Sequence, residues 1–563
     1  MEPVIGFRAA NCKNCYQCLR ACPTKAIRFS SEEQGHVSPE ICIYCGKCAT
    51  VCHQGAVRVG TDLPEVRRMI AGGAKVYASV APSYAAAFPG ASFAQISAAL
   101  KKLGFVSAEE TAIGATEVSK EYARLMAAGN HENLIATCCP ALVMLVEKHY
   151  PELVAQLAPV ASPAVVHGKM LKNMFGTRIK TVFIGPCVAK KEEARQTNAI
   201  NAVLLFEELR AWMRQESVRL EEEDPEPAEM HATLSRLYPS PGGIVATIPP
   251  EKRRGYKSYF ADGPRRCREA LDAMKKGQVQ GYFMELSICE GSCVHGPGIE
   301  EPQPIFLARE QLLASARKRT RTLAPITEQT KVPLEAKHRP VRPAKTMPEE
   351  QEIAAILAQT GKHKPEDMLN CGACGYPTCR EKAIAVAQGR ADIRMCLPYM
   401  REKAESTSNM MMEYAPNAML LLDDRLRVIE ANKRAVELLE KQGQPLKGRT
   451  VSEILKGDLK KLLAQGEPVR DEPCQAGARR LRCSIVQVPG GEYLMLLRDM
   501  SRTEDHYARQ EEERGRLLEI ARKSIDKQLA MAQEVTRLMG ETTGETLAAL
   551  MELQREAGRE EPR

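Results

Sequence analysis

The chain has 563 residues, a length that fits about four domains. Its 44% hydrophobic and 27% charged residues describe a water-compatible chain with enough apolar side chains for several cores. The net charge of +8 is scattered without a basic block, which argues against nucleic-acid binding; no apolar run approaches the ~18 residues that span a bilayer, and Met1-Glu2-Pro3-Val4 does not open an export signal, so a cytoplasmic protein without membrane contact is expected.

Twenty cysteines dominate the composition. A reducing cytosol disfavours a disulfide scaffold, and clustered thiols there ligate metal. Residues 1–60 hold Cys12-x2-Cys15-x2-Cys18-x3-Cys22-Pro23 and Cys42-x2-Cys45-x2-Cys48-x3-Cys52. In such runs three thiolates grip one [4Fe–4S] cubane and the fourth crosses to the other. Cys12, Cys15, Cys18 and Cys52 are therefore expected on one cluster, and Cys42, Cys45, Cys48 and Cys22 on the second. A pair of zinc sites fits poorly, because zinc prefers two ligand pairs separated by a long loop. His53 replaces the proline of the first run and removes no ligand. The expected unit is a ferredoxin-like 2×[4Fe–4S] domain for electron transfer.

Residues 61–323 alternate short apolar runs with helical stretches, which predicts an α/β domain with strands at 181–184 and 282–284 and helices at 120–128 and 141–147. Three loops carry cysteines: Cys138-Cys139-Pro140, Gly185-Pro186-Cys187-Val188-Ala189-Lys190 and Cys289-x3-Cys293. On spacing alone, four or five thiolates suffice for one cubane, with a thiolate left to bridge to another metal. The plainer alternative is buried structural cysteine.

The stretch from about 76 to 298 resembles the catalytic domain of [FeFe]-hydrogenases. The resemblance is carried by Val80-Ala81-Pro82-Ser83, Leu100 through Phe105, Cys138-Cys139-Pro140, Glu147 through Leu153, Pro186 through Glu193 and Glu285 through Cys293. It implies that Cys139, Cys187, Cys289 and Cys293 ligate a cubane, with Cys293 bridging to a di-iron subsite that carries CO and cyanide. It further implies that Lys190 and Ser83 hydrogen-bond the two cyanides, that Pro82 shapes the wall, and that Cys138 is the proton-transfer thiol. A compact ammonium suits an anionic neighbour; the alternative for Lys190 is a solvated surface lysine. The chain departs from the family at Ser287 and Gly185, each standing where a Met is usual, at Gly296-Pro297-Gly298-Ile299-Glu300, and at Ser162-Pro163-Ala164-Val165, which lacks the usual Gln. The acidic relay positions align with Tyr122 and Leu125 and their Ser partner with Ala158, which cuts the proton wire; Glu121 is the nearest replacement.

Residues 324–348 hold Pro325, Pro333, Pro340, Pro343 and Pro348 among basic residues and read as a stiff, solvated linker. In 349–403, Cys371-Gly372-x-Cys374-Gly375-x3-Cys379-x16-Cys396 sets glycines beside ligands, where backbone N–H groups can approach cluster sulfurs. This segment resembles the single-cluster domain of electron-transport complex B subunits and corrinoid iron–sulfur proteins, and implies a fourth [4Fe–4S] cluster; a zinc knuckle is the alternative.

Residues 404–505 resemble a PAS domain, from Tyr414-Ala415-Pro416-Asn417 to Tyr493 through Met500. Residues 410–503 contain no His, which excludes a His-ligated haem there, and Cys474 and Cys483 read as ordinary thiols. In 506–563, Leu518, Ala521, Ile525, Ala532, Val535 and Met539 form a 3–4 stripe broken by Gln528, suited to a homodimer seam or to packing on the chain's own domain. Residues 540–544 interrupt it, and a short helix through Leu547, Leu550 and Leu553 follows.

The expected fold class is multidomain α+β and α/β. The domain string resembles sensory [FeFe]-hydrogenase-like proteins, which implies a hydrogen or redox sensor that exchanges electrons with a partner such as ferredoxin and signals to a protein such as a serine phosphatase. A working hydrogenase, here expected to be slow, and an electron relay without the di-iron subsite are the alternatives.

Overall fold

The computed structural model describes residues 3–29, 35–220, 234–317, 332–341, 347–439, 445–456, 469–488, 491–538 and 550–555. They form two compact units, Met1–Tyr399 and Met400–Arg563. No helix among the described residues is long and apolar enough to cross a membrane.

The first unit opens with two small antiparallel pairs, Ile5–Phe7 with Val57–Val59 and Ile27–Arg28 with His36–Val37. Each cysteine run leads into a short helix, Gln17–Ala21 or Lys47–Thr50. Two parallel sheets follow. The larger is ordered Ser107–Glu110, Val76–Val80, Lys180–Gly185, Ala202–Leu205. The smaller is ordered Lys257–Asp262, Tyr282–Ser287, Leu134–Ile135. Val76, Val80, Val182, Ile184, Val203, Leu204 and Phe283 are wholly buried, as parallel strands covered on both faces require. The strands and helices expected at 181–184, 282–284, 120–128 and 141–147 lie within Lys180–Gly185, Tyr282–Ser287, Ala112–Ala128 and Pro140–His149. The alanine-rich stretch after 76 breaks into a strand, the turn Tyr84–Ala87 and the helix Phe93–Lys102. Ser92 and Gln95 start that helix reciprocally, each side chain accepting from the other's backbone N–H.

Residues 332–341 differ from the expected solvated linker; Pro325 and Pro343 lie outside the described residues. The Leu334 carbonyl accepts from Ala161 N at 2.7 Å, Ala336 N donates to Pro159 O at 3.1 Å, and Val341 N donates to Glu147 O at 2.8 Å. Val332, Leu334 and Ala336 pack on the central core. Alternating apolar residues let this proline-bounded segment bridge to a neighbouring backbone edge, pairing Glu335 with Val160. The helices Glu350–Gln359 and Cys379–Ala387 complete the unit.

The second unit holds a five-stranded antiparallel sheet, ordered Val428–Ala431, Ala418–Leu422, Tyr493–Asp499, Arg479–Gln487, Val469–Ala476. Leu420, Leu422, Ile485, Met495 and Leu497 form its core with Ala435 and Leu438 of the helix Lys433–Leu439. Two expected boundaries fall inside helices. Leu397–Tyr414 runs through 403/404, and Ser501–Leu538 begins before 506. No proline or glycine lies between Pro398 and Pro416 to stop the first helix. Met539, the interruption at 540–544 and Leu547 lie outside the described residues.

Candidate metal centres

Four loops leave the C-terminal ends of four parallel strands and converge on one pocket. The loop after Val76–Val80 brings Pro82 and Ser83, and the loop after Leu134–Ile135 brings Cys138 and Cys139. The loop after Lys180–Gly185 brings Cys187 and Lys190, and the loop after Tyr282–Ser287 brings Cys289 and Cys293. Open α/β sheets offer ligand sites at this edge, because the chain leaves each strand there with backbone and side chains free to face a guest.

The donor set fits an iron–sulfur group. Burial first, and then the charge of the neighbouring thiolates, raises the thiols of Cys187, Cys289 and Cys293; burial also raises Cys139. Mutually repelling thiolates become stable only with a cation among them, and a coordinated metal deprotonates such thiols outright. Ser83 Oγ is buried in the pocket wall without a hydrogen-bond partner. An orphaned hydroxyl is costly and suits an acceptor bound in the pocket. Lys190 Nζ donates to Ser162 Oγ at 2.7 Å and to Glu193 Oε2 at 2.6 Å. An ammonium has three donors, so one remains for the pocket. Lys190 is thus a buried, paired cation.

The departures from the family pattern are repacked. Ser287 Oγ meets Ser292 Oγ at 2.6 Å. A side chain at Gly185 would come within 2.7 Å of the Phe183 ring, so Phe183 occupies the room a larger residue would need. The thiol of Cys138 is pushed up to about 12 by burial, and Tyr122 Oη lies 3.4 Å from its sulfur. Tyr122 Oη also accepts from Thr137 N at 2.9 Å. Tyr122 therefore touches Cys138, while Leu125 and Ala158 are buried apolar residues. Glu121 pairs with Arg124 at 2.6 Å on the outer helix face and does not line the pocket. The acid that does line it is Glu285, whose carboxylate accepts from Gly242 N at 2.9 Å and Val245 N at 3.0 Å. Burial pushes its carboxyl up to about 7. The sequence held Glu285 inside a recognised motif, but only the fold shows which way it faces.

The N-terminal thiols lie within electrostatic reach of one another. Cys18 feels the thiolates of Cys52, Cys12 and Cys15, and Cys45 feels those of Cys22 and Cys42. Cys48 feels Cys45, Cys22, Cys42 and Cys18. Cys374 is likewise beside Cys396 and Cys371, and Cys379 opens the helix Cys379–Ala387 with its N–H on Asn370 Oδ1 at 2.9 Å. Among the described residues, no three His, Cys, Asp or Glu side chains converge as for a single ion. A cubane holds its thiolates on separate irons and so farther apart.

The ferredoxin-like segment touches both of the other cysteine regions. Cys45 forms part of the pocket wall, Gly46 is pressed against Val188 and Pro297, and Lys47 Nζ reaches Glu290 Oε1 at 3.0 Å. From the ferredoxin-like segment, Arg20 Nη1 also donates to Ala373 O at 3.0 Å. Gly375, at φ +93°, abuts Leu19, where a Cβ would meet Leu19 Cγ at 2.8 Å. Tyr376 and Met395 share an apolar cluster with Cys18 and Leu19.

Three family profiles match: the C-terminal domain of the iron only hydrogenase large subunit over residues 74–297, a 4Fe-4S dicluster domain over 11–56, and an Fe-S cluster family over 367–398. Iron hydrogenase 1 of Clostridium pasteurianum is 23% identical over 305 residues, 45% of this chain and 53% of that protein. The chain thus spans about half of that relative. Ferredoxin 7Fe of Hydrogenibacillus schlegelii is 34% identical over 64 residues, 11% of this chain and 73% of that protein. Among solved structures, an [FeFe]-hydrogenase HydA1 from Chlamydomonas reinhardtii aligns at 16% identity and TM-score 0.39, covering 47% of this chain and 90% of that one.

Proposed function

We propose, for a hydrogenase-like iron–sulfur electron-transfer protein whose N-terminal segment belongs to the 4Fe–4S ferredoxins and whose central region matches the C-terminal domain of the iron-only hydrogenase large chain, that the protein is a hydrogen or redox sensor. The observation that carries the reading is the convergence of Cys139, Cys187, Cys289 and Cys293 with Cys138, Lys190 and the orphaned Ser83 in one pocket. The four thiolates would hold a cubane, and Cys293 would bridge to a di-iron subsite with CO and cyanide ligands, which supplies reversible splitting of hydrogen when bound. Ser83 would donate to one cyanide. Lys190, held in place by Ser162 and Glu193, would donate to the other, while Pro82 closes the wall. Cys138 would hold the proton next to the pocket. Cys12, Cys15, Cys18, Cys52, Cys42, Cys45, Cys48 and Cys22 would hold two cubanes, and Cys371, Cys374, Cys379 and Cys396 a fourth.

The antiparallel sheet unit 404–505 would act as a PAS-type relay, the tail would pair two copies, and the output would pass to a serine phosphatase or similar protein. Ferredoxin is the proposed electron partner. The specific observation behind a second reading, slow hydrogen catalysis, is Tyr122 at the Cys138 thiol. The test is an infrared spectrum of the matured protein. CO and cyanide bands are expected, and Ser83→Ala should move a cyanide band. A spectrum without such bands leaves only the electron-relay reading.

A further inference from the structure

The cysteine set at 371–396 has the most direct cationic contact among the cysteine sets. Lys362 Nζ donates to Cys396 Sγ at 3.5 Å and to Thr360 O at 3.0 Å, and the residue is 9% exposed. Lys382 is 5% exposed, and its Nζ donates to Ile393 O at 2.7 Å beside Cys396 and Cys374. Among the described residues neither ammonium forms an ion pair. The nearby Asp392 carboxylate is held by Arg394 at 2.9 Å.

The ferredoxin-type ligands differ. Cys12, Cys22 and Cys42 accept from the backbone N–H of Asn14, Ala26 and Tyr44 at 3.3–3.4 Å. Lys25 there donates to Leu19 O and Arg20 O and Lys148 to Pro39 O and Cys42 O, as Lys382 does to Ile393 O, and the Lys362 contact with Cys396 is what sets the 371–396 ligands apart. In the hydrogenase-like pocket, Lys190 is neutralised by Glu193. Reduction adds one negative charge to a cubane. A buried, uncompensated cation favours that charge, and a charged donor on a ligand sulfur adds to the effect.

We propose that Lys362 and Lys382 make the Cys371, Cys374, Cys379 and Cys396 centre the electron sink of the four centres. One electron would leave a ferredoxin-like centre and arrive at this one. The donor is oxidised by one electron, the acceptor is reduced by one, and no atom or proton is transferred. In the cell the electrons would come from hydrogen, two per molecule with two protons released, so the inference rests on the electron-transfer reading above. The next residue after Cys396 opens the helix Leu397–Tyr414. The charge would thus settle at the root of the helix that continues into the second unit's sequence.

The test is an EPR-monitored redox titration of the full-length, iron-reconstituted protein with dithionite as reductant. It needs no hydrogen and no di-iron subsite, so absence of CO and cyanide bands would end the hydrogen reading and leave this result standing. The reduced-cubane signal that appears at the highest potential is expected to be lost or altered in Cys379→Ser. In Lys362→Met and Lys382→Met its reduction constant should fall about tenfold, which is about 59 mV for a one-electron couple. Lys362→Arg, which keeps the charge, should stay near wild type. Iron analysis identifies any variant that has lost the cluster. If Lys362→Met does so, Lys382→Met and Lys362→Arg decide. The proposal is overturned if the first-reduced signal is unchanged in Cys379→Ser, or if its midpoint does not move in an iron-replete Lys→Met variant.

Discussion

Glu285 sits where a carboxylate is least at ease: 4% exposed, in a pocket wall of thiols, with two backbone N–H groups as its partners. Burial raises its carboxyl from the ordinary 4.5 to about 7 in the folded chain. The folded state therefore binds the proton more tightly than the unfolded state between those values. The resulting stability is fully present below about pH 4.5 and is lost as pH rises through about 7, an effect of about 3 kcal/mol. The thermal midpoint of the wild type should fall between pH 5 and pH 8 more steeply than that of Glu285→Gln. Equal slopes would show that Glu285 is not held neutral. Tyr122 poses a different question at the same pocket. Its hydroxyl reaches Cys138, but burial drives it well above its usual 10, so it gives up a proton reluctantly. Leu125 and Ala158 carry none.

At the scale of elements, the docked segment 332–341 and the tail behave oppositely. The first finds partners for its backbone along 158–161 and buries alternate apolar residues. In the second, Leu518 of the apolar stripe is 50% exposed on the helix Ser501–Leu538. Burying a leucine or isoleucine side chain gains about 1.5–3 kcal/mol, so an open apolar stripe gains by pairing. Truncation after Asp499 should turn a dimer into a monomer by light scattering. The same mass per particle before and after truncation would remove the tail as the dimer contact.

For the whole molecule, four cubanes and one di-iron subsite require about 18 iron atoms per chain. Iron near 16 without CO bands would mark the relay. Hydrogen turnover should be slow, because losing general acid–base help costs about 100- to 10,000-fold. Tyr122→Glu with Leu125→Glu and Ala158→Ser should raise hydrogen evolution from that low baseline. A wild-type rate typical of a production hydrogenase would sink the sensor reading, since a sensor needs only equilibrium with hydrogen.

The amino-acid sequence determined the local part of this protein. Three cysteines at a spacing of three residues can only lie close together, so the ferredoxin-like runs were legible from spacing. The buried strands around Val182 and Phe283 were legible from their continuous apolar character. What lies far apart along the chain was decided by tertiary structure alone. Cys139, Cys187 and Cys289 meet because parallel strands of two sheets end at one edge. Glu285 faces the pocket while Glu121 faces Arg124, a matter of orientation that spacing does not encode. Gly375 fits against Leu19 and so sets the 371–396 region against the ferredoxin-like segment. Lys362 reads in sequence as one more surface lysine; only the packing that buries it against Cys396 makes it a charge on a cluster ligand.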